Sequence, residues 1–134
     1  MRTEPTAFFS NTYDEALRLV EEARNYFVER EPIERRALAP PERLKLSTET
    51  MRMTARLTQI MAWLLLQRAV HEGEISRDDA LCDPVALAGV EVCMGRREED
   101  WEGLPQRLVS LLDKSHRLYL RVARLDELAR RRFN

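Results

Sequence analysis

The stretch of chain between Pro41 and Gly73 contains no other proline and no glycine. Proline fits the first turn of a helix and glycine commonly follows its last turn, so the stretch predicts one long helix over residues 41–72. Side chains at steps of three and four share one face of this helix, and most of them are apolar. They are Leu46, Thr50, Met53, Leu57, Ile60, Met61, Leu64 and Arg68. An isolated helix with such a face is only marginally stable in water, so other helices must pack against it.

Two further segments have the same periodicity and predict helices over about residues 6–31 and 104–131. Pro32 should end the first of these helices, and Pro105 lies in the first turn of the last one. The charged residues between Glu31 and Ala39 have no apolar period, which indicates a loop. Helices with short links pack most simply side by side in alternating directions, so we expect an all-α protein, an antiparallel three-helix bundle.

The length and composition fit a single helical domain over residues 1–134. Hydrophobic residues make up 44% of the chain and charged residues 34%, with only four glycines, a mixture typical of helical bundles. Residues 81–103 depart from this pattern, since prolines, glycines and a charged run interrupt them. We expect an irregular excursion there, and long excursions inside compact domains are often functional.

The 41–72 helix has a second apolar face, which three helices alone do not obviously cover. Trp63, Leu66 and Val70 point away from the first face, and Arg52 and Arg56 continue the same stripe toward the N-terminus. We expect this stripe to be an interface in a homodimer, because large exposed apolar patches are rare on monomers. The alternative is that Trp63 lies under the 81–103 excursion of its own chain.

The sequence contains no arrangement of residues that indicates catalysis or metal binding. His71 and His116 lie on different predicted helices, and Cys82 and Cys93 have no CxxC spacing. Phosphate-binding glycine loops and nucleophile motifs are absent from the sequence. We therefore expect a protein that is not an enzyme, without catalytic residues, cofactor or metal, and that acts by binding partners.

Charge and hydropathy exclude two further classes of partner. The 22 basic residues nearly cancel the 23 acidic ones, whereas nucleic-acid-binding proteins usually have a basic excess, so no nucleic acid is expected. The strongest apolar run, Ile60–Leu66, is far too short to span a bilayer, so no membrane partner is expected. The N-terminus lacks the pattern of a signal peptide, and we expect a cytoplasmic protein.

Three segments carry a resemblance to a known family. They are Tyr13–Phe27, Ser47–Ile75 and, more weakly, Ser115–Asp126. The middle segment is the most specific, because it contains Ala-Trp-Leu-Leu-Leu-Gln-Arg-Ala-Val followed by Glu-Gly-Glu-Ile. With these segments the chain resembles the RcdA-like family, named for the regulator of CtrA degradation in alphaproteobacteria. The resemblance covers the helical part of the chain, and residues 81–103 match poorly.

The resemblance implies a dimeric three-helix bundle and an adaptor for regulated proteolysis. Such an adaptor delivers substrates to the ClpXP protease in cell-cycle control, with ClpX, companion adaptors and response-regulator proteins as partners and a cell pole as one location. The resemblance also implies a polar tail after the last helix, whereas this sequence stops at Asn134. The alternative reading of the residues is a dimeric helical interaction module with no role in proteolysis.

Overall fold

The computed structural model describes residues 3–76 and 101–131, with side chains described from Ser10 onward. This part of the chain contains no β-strand, which confirms the all-α class for the residues described. Its helices are α1 (Thr3–Glu29), α2 (Glu31–Ala37), α3 (Pro40–His71) and α4 (Gln106–Arg131). Of the predicted 81–103 excursion, only residues 101–103 fall within the described structure.

The bounds of α3 follow from the residues that flank it. Its first turn contains both Pro40 and Pro41, as the sequence predicts. At its other end Gly73 has a φ of 79°, a left-handed conformation that glycine adopts without a steric penalty. The Gly73 N–H donates to the Val70 carbonyl at 3.1 Å and the Glu74 N–H to the Ala69 carbonyl at 2.9 Å. These two bonds satisfy carbonyls that the helix end would otherwise leave without a partner.

The prediction of a loop between Glu31 and Ala39 is wrong, because residues Glu31–Ala37 form α2. Pro32 lies in the first turn of α2, where its missing N–H is not needed. Acidic side chains in the first turn and basic ones in the last complement the helix dipole. Tyr26 of α1 donates its hydroxyl to Glu34 of α2 at 2.7 Å, which ties the two helices together. Burial and this hydrogen bond raise the pKa of Tyr26 well above the usual range of a phenol.

Contacts between side chains show that α1 runs antiparallel to α4. Arg121 of α4 donates to Glu15 of α1 at 3.2 Å, and Lys114 donates to Glu22, also at 3.2 Å. An advance of seven residues along α1 therefore matches a retreat of seven along α4. α1 also runs antiparallel to α3. The Arg68 guanidinium, near the end of α3, lies 5.7 Å from the centre of the Tyr13 ring, near the start of α1.

In contrast, α3 and α4 run parallel to each other. The Arg56 Nε donates to Ser115 Oγ at 3.1 Å, and the Trp63 Nε1 donates to Asp126 Oδ1 at 2.9 Å. Both contacts advance toward the C-terminus along both helices. The prediction of a fully antiparallel three-helix bundle is therefore wrong for this pair, although each of the three long helices packs against the other two.

The length of the connection between α3 and α4 explains this difference. Antiparallel packing was expected from short links, and the chain from Glu72 to Pro105 is not a short link. Trp101 lies beside the N-terminal half of α3, where its Nε1 donates to Glu49 Oε1 at 2.9 Å. From Glu49 to His71 the helix advances about 33 Å, so Trp101 and Ser76 lie near opposite ends of the bundle.

Apolar side chains from the three long helices fill the space between them. The largest of them with no exposed surface are Trp63, Tyr26, Tyr119, Leu46, Met53, Ile60, Leu108, Leu111 and Leu112. Fully burying one such side chain contributes on the order of 1.5–3 kcal/mol to the free energy of unfolding. The core therefore stabilises the bundle without any need for a second chain at these positions.

Substitution of Glu49 tests how much its hydrogen bond with Trp101 contributes to stability. Its side chain is buried, accepts the Trp101 bond and pairs with Arg52 Nη1 at 2.8 Å. Glu49→Ala should lower the free energy of unfolding by about 1–3 kcal/mol in urea titrations, because Trp101 loses its acceptor. Glu49→Gln should cost less, since its amide oxygen still accepts. A Glu49→Ala chain as stable as the exposed-site control Glu21→Ala would contradict this account.

Candidate interaction surface

The stripe predicted to be a dimer interface points mainly into the chain. Trp63 and Arg56 have no exposed surface at all, and their polar atoms meet α4 through Asp126 and Ser115. The prediction that these two side chains face outward is therefore wrong. The reason is that α3 packs against both α1 and α4, and a helix with two neighbours hides two faces rather than one.

The other three residues of the predicted interface are partly buried. Leu66 and Val70 follow Trp63 toward the end of α3, and Arg52 pairs with Glu49. All five residues do share one stripe of α3, as their spacing requires. α4 of the same chain covers Arg56 and Trp63 at the centre of that stripe. The stripe therefore does not present a continuous apolar surface to a partner.

Among the residues described, a different face of the bundle is uncovered and largely apolar. A cavity of about 570 Å³ lies between α1 and α3. We call it the α1/α3 groove, and its apolar lining comprises Val20, Ala23, Phe27, Leu57, Met61, Ala62 and Leu65. Half of the Leu65 surface is exposed (49%), and Leu17, one turn before Val20, is 39% exposed. Exposed apolar side chains grouped in a concave surface are typical of a binding site for another protein.

A second cavity, of about 330 Å³, continues the groove toward the end of α3. It is lined by Tyr13 and Arg68, together with Ser10, Asp14, Leu64, Gln67, His71 and Glu72. Tyr13 and Val20 lie seven residues apart on α1, as Met61 and Arg68 do on α3, so both cavities lie along the same pair of helix faces. The groove thus has an apolar part and a polar end.

Arg68 shapes this polar end. Its guanidinium lies over the ring of Tyr13 and its Nε also pairs with Glu72 at 3.2 Å. The pair is exposed, so it contributes little to stability. Its effect is local, because it places a cation and its counter-charge beside each other at the mouth of the groove.

Leu65 was not predicted from the sequence to line the groove. Leu64, Leu65 and Leu66 follow one another, and three consecutive leucines of a helix cannot all point toward the same neighbour. In the structure Leu64 is buried, Leu66 is partly buried and Leu65 lines the groove. The leucine run was the signal that a third face of α3 is apolar.

The residues considered for chemistry lie apart from one another. His71 is exposed at the end of α3 and His116 is buried on α4, whereas Cys82 and Cys93 lie outside the described residues. Within residues 3–76 and 101–131, no group of His, Cys, Asp or Glu side chains is placed to hold a metal ion. None of the helices described has the length and hydropathy needed to cross a bilayer.

Together, these features define a helical bundle that displays an apolar groove. A family model described as "Protein of unknown function (DUF1465)" matches residues 2–134. The crystal structure of RcdA from Caulobacter crescentus CB15 is similar, with a TM-score of 0.74, 36% sequence identity, and coverage of 90% of this chain and 89% of that one. The chain therefore belongs to this RcdA-like family, which confirms the resemblance seen in the sequence. A search of curated proteins found no match.

Two adjacent leucines test the assignment of inner and outer faces. Leu64 is 2% exposed and Leu65 is 49% exposed. Leu64→Ala should lower the free energy of unfolding by about 2–5 kcal/mol, because it leaves a cavity in the core. Leu65→Ala should change it by less than about 1 kcal/mol. Equal losses for the two variants in urea titrations would show that the groove is closed.

Proposed function

We propose that this protein is a non-enzymatic, cytoplasmic adaptor that delivers substrates to the ClpXP protease in cell-cycle control. The observation that carries the proposal is the similarity to RcdA, which covers 90% of the chain. The resemblance to the RcdA-like family implies the adaptor activity. ClpX, companion adaptors and response-regulator proteins are the partners that follow from the same resemblance. Self-association into a homodimer is part of the proposal, although Trp63 and Arg56 do not supply its interface.

The geometry of the groove supports a binding role. An adaptor needs an exposed surface for a partner, and the α1/α3 groove provides apolar area that its own chain leaves uncovered among the residues described. Tethering then increases the local concentration of substrate at the protease, and short tethers give effective concentrations on the order of millimolar. No bond-making step is required of the adaptor.

This mechanism makes a kinetic prediction for a reconstituted ClpXP reaction. Adding the protein should lower the KM for the delivered substrate and leave kcat nearly unchanged, because tethering changes encounter and not the protease cycle. At a large excess the protein should inhibit, since substrate and protease then bind separate copies. Degradation rates measured over a range of adaptor concentrations should therefore pass through a maximum.

The corresponding measurement in the host is the half-life of ClpXP substrates with and without the gene. Loss of the gene should lengthen the half-life of at least one substrate, and the wild-type gene should restore it. A gene carrying Arg117→Ala, an exposed change on α4 away from the groove, should restore the half-life as well as the wild-type gene does. Unchanged half-lives for all ClpXP substrates would favour an interaction module without a role in proteolysis.

A further inference from the structure

The α1/α3 groove, together with its polar end, has the length of a site for one helix. On the opposite side of the same two helices α4 packs against both, so α1 and α3 already hold one helix between them. From Thr54, at one end of the lining, to His71, at the other, α3 advances about 26 Å, or roughly five helical turns. A helix placed along such a groove buries the side chains that recur at steps of three and four.

The polar groups of the apolar part show what flank the bound helix should have. Among the described residues that line this part, Arg24 is the only charged one, and it is exposed. The hydroxyls of Thr54 and Thr58 donate to backbone carbonyls one turn earlier in α3, at 2.9 and 2.8 Å, and so need no partner from outside. At the polar end Glu72 offsets Arg68, and Asp14 adds a negative charge. The positive charge of the groove is therefore confined to its apolar part, where Arg24 lies.

From this complementarity we infer that the groove binds an amphipathic α-helix of a partner protein, apolar along one face and acidic on the flank that meets Arg24. The inference rests on the proposed adaptor function and deepens it, because it names the kind of segment that the adaptor recognises. The apolar face of the helix covers Met61 and Leu65, and the acidic flank pairs with the guanidinium at the rim. The pair contributes selectivity and the apolar contact contributes most of the affinity.

The test is a selection from a display library of randomised peptides of about 18 residues, the length that spans the groove as a helix. The full-length wild-type chain should enrich peptides with apolar residues at steps of three and four and with Asp or Glu along one flank. Arg24→Glu should reverse the flank preference to Lys or Arg. The matched control Arg18→Glu, an exposed change on another face of α1, should keep the acidic preference.

Affinities of one enriched peptide, measured by fluorescence anisotropy, should follow the same order. Arg24→Glu should weaken binding by about fivefold and Leu65→Ser by about tenfold or more, whereas Arg18→Glu should leave it unchanged. Circular dichroism checks that each variant is folded. Failure to enrich an amphipathic pattern, or binding that is insensitive to both groove variants, would overturn the inference.

Light scattering of the same variants separates a partner helix from a second copy of this chain. If Leu65→Ser converts a dimer into a monomer, the groove belongs to the dimer interface and the inference is overturned. The ClpXP reaction is read independently of peptide selection. If the groove binds peptides but the protein has no effect on degradation, the adaptor proposal is refuted and the helix site stands. If the protein stimulates degradation but the groove variants do not change peptide binding, the helix site is refuted and the adaptor proposal stands.

Discussion

The fold depends on two buried polar side chains that fix α3 against α4. Arg56 and Trp63 have no exposed surface, and an arginine or indole in an apolar interior is costly unless its N–H groups find acceptors. Ser115 Oγ of α4 accepts from the Arg56 Nε at 3.1 Å, and Asp126 Oδ1 accepts from the Trp63 Nε1 at 2.9 Å. These contacts are satisfied in one register and one relative direction, so they specify parallel packing. Once α4 is fixed on that side, the other face of α1 and α3 is left as the α1/α3 groove, which none of the described residues covers.

The open groove joins the fold to the proposed role. Ala23 and Leu57 at the base of the groove belong to the core, whereas Leu65 at its rim is half exposed and adds little to the stability of the bundle. Leu65 and Leu17 remain exposed at a cost in solvation that a binding surface explains. Such a surface suits the proposed binding role, and Arg24 places a positive charge beside it. The fold, the groove and the family thus support the same class of activity.

The sequence predicted helix positions well and helix directions poorly. Proline pairs and glycine ends are local signals, so α3 was placed to within one residue at each end. The direction of α4 relative to α3 depends on Arg56 meeting Ser115, a contact between residues 59 positions apart that no local pattern reveals. Trp63 was predicted from the sequence to lie on an interface because α3 was assumed to bury only one face within the bundle. In the structure α3 packs against both α1 and α4 and buries two faces. The groove was signalled only by Leu65 within a leucine run, and α2 only by the charges around Pro32.

Trp63 is covered by its own chain and donates to Asp126 of α4, so no second copy is needed to bury it. The most direct measurement is acrylamide quenching of tryptophan fluorescence in a Trp101→Phe chain, where Trp63 is the only tryptophan. We expect weak quenching that does not change as the protein is diluted through any dimer dissociation. Quenching that increases on dilution would show that a second copy covers Trp63, and would contradict the account.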